Sequence, residues 1–138
     1  MRYVNGFFCI LLVLFTIVQY NDPDAILWIL IYGLSALWAG LAAFRPARFA
    51  HNQPLLAAFG VTLAAVAAGA LYDWPQSIGD WWQNDVVRGG MGALVSMMAP
   101  DYEVVREGLG LIIATVALLV VAYTLWRTRR APLAQQAV

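Results

Sequence analysis

The chain alternates between long apolar runs and short polar breaks. The runs cover residues 3–19, 23–44, 55–72 and 102–127. A membrane-crossing helix needs about 20 apolar residues, with a lower limit near 17, so each run predicts a span. The reading is all-α: a polytopic membrane protein, 1–138 as one membrane domain, with four transmembrane helices in a bundle. The first break, Gln19-Tyr20-Asn21-Asp22-Pro23-Asp24, is too short for anything but a reversal, so the first two helices run antiparallel. Asp22 is placed there as the N-cap of the second helix, Pro23 at its first position and Asp24 in its first turn.

Within the runs, the least apolar residues fall on helical stripes. The first helix carries Asn5, Cys9, Leu12, Thr16 and Gln19 on one face. The second carries Asp24, Trp28, Tyr32, Ser35, Ala39 and Ala43, and the last carries Glu103, Glu107, Gly110, Ala114, Ala117 and Val121. Polar side chains avoid lipid and small ones let helices approach closely, so these stripes should face other helices. Ordinary helix packing accounts for most of them. The third helix repeats small residues at Gly60, Ala64 and Ala68, and at Ala65 and Gly69. That pattern predicts a tightly packed, central helix.

The second break, 45–54, holds two prolines, two arginines and His51, with no carboxylate or cysteine beside it. It reads as a loop with a solvated histidine. The third break, 73–101, opens with Tyr72-Asp73-Trp74-Pro75 as an interfacial belt that closes the third helix. Trp74 stands in that belt, and Ile78, Trp81, Trp82 and Val86 then share one helical face. Met91, Leu94, Val95 and Met98 share another. Two short amphipathic helices on the membrane surface are expected here, or a face that docks a partner, since Trp and Met suit adaptable interfaces. Asp101 is a candidate N-cap for the last helix. Arg127, Arg129 and Arg130 form a basic stop where the last helix gives way to the tail 128–138.

Charge adds orientation. Arg2, Arg45, Arg48, Arg127, Arg129 and Arg130 gather on one side of the four-span layout, which has no Asp or Glu. The other side carries all eight acids with Arg88 and Arg106. The positive-inside rule then places both termini in the cytoplasm, with 19–24 and 73–101 outside. In a bacterium this would be the inner, cytoplasmic membrane. Arg2 before an apolar run also fits a signal sequence. No small-residue cleavage site follows it, so a retained signal anchor is expected.

Composition narrows the chemistry. Of 138 residues, 62% are hydrophobic and 12% charged, and the net charge is zero. Nothing points to nucleic acid. One cysteine, Cys9, and one histidine, His51, exclude an internal disulfide, a bis-histidine haem and a thiolate or imidazole zinc site within one chain. Any metal must bind through oxygens, which means a hard cation such as calcium.

Two stretches resemble the transmembrane protein 220 family: Gln19-Tyr20-Asn21-Asp22-Pro23-Asp24-Ala25-Ile26-Leu27-Trp28 with Tyr32, and Arg106-Glu107-Gly108-Leu109-Gly110-Leu111 preceded by Glu103. The resemblance covers about a quarter of the chain. It implies the four-helix layout and membrane location, and no reaction, substrate or cofactor. In the layout above both motifs lie at the outer interface. Gln19, Asn21, Asp22, Asp24, Trp28, Tyr32, Glu103, Arg106 and Glu107 therefore form the candidate polar cluster.

Three functions compete for this cluster. It could lock the outer ends of a small structural or interaction subunit, whose partner is a membrane protein or a second copy. The absence of an ionisable residue in the middle of all four helices favours this. It could bind a ligand or a hard cation through Asp22, Asp24, Glu103 and Glu107. As a subset, it could work on lipid headgroups, with Glu107 as acid or base and Arg106 on a phosphate. Transport by four short helices is the third reading, and it wants a mid-membrane charge that this chain lacks.

Overall fold

A computed structural model describes residues 1–21, 24–82 and 103–130, and every element among them is helical. The elements are α1 (Arg2–Val18), a 3-10 turn (Gln19–Asn21), α2 (Ala25–Phe44), α3 (Pro46–Ala50), α4 (Gln53–Trp81) and α5 (Glu103–Arg130). Three stretches are long and apolar enough to cross a membrane: Ala25–Phe44, Gln53–Trp74 and Val105–Arg130. The apolar α1 has 17 residues. At 1.5 Å per residue that is about 26 Å of helix, close to the hydrocarbon thickness.

Helix boundaries differ from the sequence expectation in three places. The 3-10 turn prolongs the winding of α1 to Asn21, which pushes the reversal towards α2. As a result α2 begins at Ala25 with Asp24 as its N-cap, not at Pro23 with Asp22 as its cap. The Asp24 side chain makes no capping bond; its carbonyl instead accepts from the Leu27 and Trp28 amides at 2.9 and 3.4 Å. Asp22 and Pro23 themselves lie outside the described residues, as does Asp101.

The break at 45–54 is also more ordered than a loop. Pro46, suited to a first helical turn, opens the five-residue α3. Phe49 and Ala50 of α3 are buried. Asn52 then caps α4, its side-chain oxygen accepting from the Leu55 amide at 3.1 Å. His51 is exposed.

The third difference is at Pro75. The apolar span of α4 ends at Trp74, yet the helix continues through Pro75 to Trp81. A proline withholds one hydrogen bond from a helix. That loss is least costly at a membrane interface, where water can serve the freed carbonyl. Ile78 and Trp81 therefore belong to α4 and not to a separate amphipathic helix. The second expected amphipathic helix, around Met91–Met98, lies outside the described residues.

The chain forms two compact units, Met1–Ala64 with Val116–Val138, and Ala65–Thr115. In the first unit α1 packs along α2. Trp38 of α2 stacks on Phe49 at 5.4 Å and meets Phe59 of α4 edge-on at 6.0 Å, while Phe49 and Phe59 meet at 5.7 Å. The Trp38 indole N–H donates to the Thr62 hydroxyl at 3.1 Å. The Asn5 amide of α1 donates to the Thr124 hydroxyl of α5 at 2.9 Å, and that hydroxyl donates on to the Val120 carbonyl. Arg129 donates to the Ala50 carbonyl at 2.7 Å. In the second unit the methyl groups of Leu111 face Gly69, 3.6 Å from where a β-carbon would stand.

Three of the four stripes face inward. Asn5 and Leu12 are the buried residues of α1. Trp28, Tyr32, Ser35, Ala39 and Ala43 are buried on α2. Gly110, Ala114, Ala117 and Val121 are buried on α5. The fourth does not. Gly60, Ala64, Ala65 and Ala68 of α4 are exposed, and a β-carbon on Gly60 would touch nothing within 4 Å. Only 17% of the α4 span is buried, against 39% for α2 and 50% for α5. The expectation of a central, tightly packed third helix is therefore corrected over most of the pattern: α4 packs through Phe59, Val66 and Ala70, Gly69 meets Leu111, and Gly60, Ala64, Ala65 and Ala68 turn outward.

Candidate functional site

The polar knot between α1 and α2 is built around an aromatic wall. Trp28 and Tyr32 sit one turn apart on α2 and stack at 5.7 Å. Phe15 of α1 meets the Tyr32 ring edge-on at 5.5 Å. The i, i+4 spacing places both α2 rings on the face towards the protein interior, and both are buried, at 5% and 2% exposure. The Trp28 indole N–H is buried with no hydrogen-bond partner among the described residues. A buried amide-like donor normally has one, and leaving it unpaired costs about 1–3 kcal/mol.

The remaining candidates divide by position. Gln19 is half-buried in the 3-10 turn that also contains Asn21, and Asp24 is exposed at the cap of α2. On α5, Glu103 opens the helix, Arg106 is exposed and Glu107 is half-buried and engaged. These α5 residues belong to the second unit, and the Gln19–Tyr32 residues to the first. Among the described residues no three of His, Cys, Asp and Glu come together to hold a metal. Asp22, one of the four proposed oxygen donors, lies outside them. For the expected partner face, Trp74 and Trp82 are about half exposed, with Ile78 and Trp81 between them at helical spacing on α4.

Sequence reading missed a feature on the opposite face of α2. An apolar groove of about 430 Å³ runs between α1 and α2, lined by Cys9, Val13 and Ile17 on one side and Gly33, Leu37 and Gly40 on the other. Gly33, Ala36 and Gly40 are small residues three and four apart, and that spacing was the available signal.

Long apolar helices, with a neutral polar link buried between two of them, define a multi-pass helical membrane protein. The sequence model of transmembrane family 220 (helix) matches residues 11–123, most of the chain. The chain belongs to that family, as the two motifs had indicated. No curated protein and no solved structure matches it.

Proposed function

We propose that this chain is a small four-span structural or interaction subunit of the membrane, with both termini cytoplasmic and the Gln19–Asp24 turn outside. The observation that carries this reading is the character of the buried polar groups. Among the described residues these are Asn5, Ser35 and Thr124, all neutral. Asn5 and Thr124 bond to each other across helices, and Ser35 bonds back to the Ile31 carbonyl at 2.7 Å. Ion and proton paths through a membrane are built on buried ionisable groups. Here the interior polarity joins helices instead. The half-exposed Trp74 and Trp82 supply the docking face for a membrane protein partner or a second copy.

A second reading is favoured by the unpaired Trp28 indole N–H. A ligand with an acceptor oxygen beside α2 would satisfy it, and Asp24 would add a carboxylate for a cation such as calcium. Thermal melting of the purified protein with and without calcium separates the two. The structural reading expects no calcium shift, a lower melting point for Asp24→Asn or Glu107→Gln, and a neutral or stabilising Trp28→Phe, because the orphan donor is removed while the ring stays. A ligand site expects a stabilising shift in wild type that Trp28→Phe and Asp24→Asn abolish. A wild-type shift lost in those variants would overturn the subunit reading.

A further inference from the structure

The groove between α1 and α2 has two properties that together specify an occupant. Along its length it offers no strong hydrogen-bonding group. Its lining is aliphatic side chains, glycines and the weakly polar Cys9 thiol, and the hydroxyl of Thr16 is already committed to the Leu12 carbonyl at 2.8 Å. At one end this changes. Phe44 and Arg45 close the groove, and the Arg2 guanidinium lies over the Phe44 ring at 5.9 Å. Two permanent cations therefore stand at the mouth of an apolar channel.

Among the described residues those cations have no carboxylate side chain within reach. The chain has no Asp or Glu before Asp22, between Asp24 and Asp73, or after Glu107. From Arg45 to Asp24 is the whole length of α2, about 30 Å at 1.5 Å per residue. Two of the other arginines of this end are engaged by protein: Arg129 is held by the Ala50 carbonyl and Arg130 lies over Trp126 at 4.3 Å. Arg45 is exposed, and it lines the groove.

The dimensions also fit. Gly33 to Arg45 spans about 18 Å of helix, close to half of the roughly 30 Å hydrocarbon thickness, the depth of one leaflet. We propose that this groove holds an acyl chain of an anionic phospholipid, with the headgroup phosphate at the Arg2–Arg45 end. A phosphate accepts charge-assisted hydrogen bonds from arginine, and basic pockets beside membrane helices take such headgroups. A second copy of the chain is the poorer occupant. Two copies related by an axis along the membrane normal would bring their Arg2 and Arg45 ends together and add like charge to like.

The test uses the full chain in bilayer discs containing phosphatidylglycerol and phosphatidylcholine in equal amounts, released into native mass spectrometry. The expected result is one phosphatidylglycerol retained per chain under conditions that strip phosphatidylcholine. The double variant Arg2→Gln, Arg45→Gln should lower that retention about thirtyfold, as two lost arginine contacts imply. Arg127→Gln, exposed and outside the groove, changes the charge without touching the site and should keep it. Leu37→Trp, which fills the groove from a half-exposed position, should abolish it, and Val13→Phe fills it from α1 in case position 37 disturbs folding. Equal retention of both lipids would overturn the proposal. So would equal losses in the groove and Arg127 variants, retention unaffected by either blocker, or a lipid-free dimer. The lipid and variant outcomes leave the subunit reading untouched, since that is tested by melting at the other end of the helices; a lipid-free dimer would overturn this proposal while supporting that reading.

Discussion

Helices α2 and α4 are built from similar residues and behave differently. Both are apolar spans rich in alanine and glycine. On α2 the small residues Ala36, Ala39, Ala42 and Ala43 are buried, and α1 packs closely along the helix. On α4 the corresponding stripe of Gly60, Ala64 and Ala68 is exposed, and the helix is held through Phe59 and Val66. Small residues permit close approach but do not cause it. Lipid tails are as apolar as the protein interior, so no hydrophobic penalty drives a small-residue face inward. On α2 the stripe continues into Trp28, Tyr32 and Ser35, whose polar atoms and ring faces reward contact with protein. The α4 stripe carries nothing of the kind.

The largest expected effect lies where the two helices meet. Trp38→Ala removes the ring that stacks on Phe49 and meets Phe59, together with the bond to Thr62. It should cost about 3–5 kcal/mol, seen as a large drop in melting temperature in detergent. If α4 stays attached by other means, the loss will be small and α2–α4 packing does not depend on this clamp.

The stripes themselves can then be set against each other. Ala39→Leu forces three extra carbons into a fully buried position and should destabilise by about 1–3 kcal/mol. Ala64→Leu faces outward and should stay within about 0.5 kcal/mol. If both were equally damaging in native membranes but not in detergent, the outer face of α4 would be covered by a partner there.

Glycine substitutions sharpen the comparison further. A β-carbon on Gly40 would stand 3.3 Å from the Cys9 sulfur, whereas one on Gly60 would meet nothing. Gly60→Ala should therefore gain roughly 0.5–1 kcal/mol from helix propensity. Gly40→Ala should forfeit that gain, and Cys9→Ala in the same chain should restore it. Equal gains at both positions would show that α1 yields at Cys9.

A comparable effect concerns the link between α1 and α5. Thr124→Val leaves the Asn5 amide without its acceptor, and the Asn5 carbonyl oxygen is already unpaired and buried. A cost of about 0.6–1.7 kcal/mol is expected, the range for hydrogen bonds between membrane helices. Adding Asn5→Leu should recover much of it. A double variant no better than Thr124→Val would mean that Asn5 contributes by shape rather than by bonding.

The sequence by itself determined which faces of α1, α2 and α5 turn inward. Asn5, Ser35 and the small-residue run Gly110–Ala114–Ala117 could be read because polar and small side chains stand out against an otherwise apolar run. It also carried the family, since the reversal motif at 19–28 needs particular residues at fixed spacing. Tertiary structure alone decided three things. It turned the α4 stripe outward, because apolar faces cost the same against lipid as against protein. It folded 46–50 into a helix, because Phe49 has Trp38 and Phe59 to pack against. It opened the groove beside Gly33 and Gly40, because a gap between two helices depends on the crossing of both and is written in neither one.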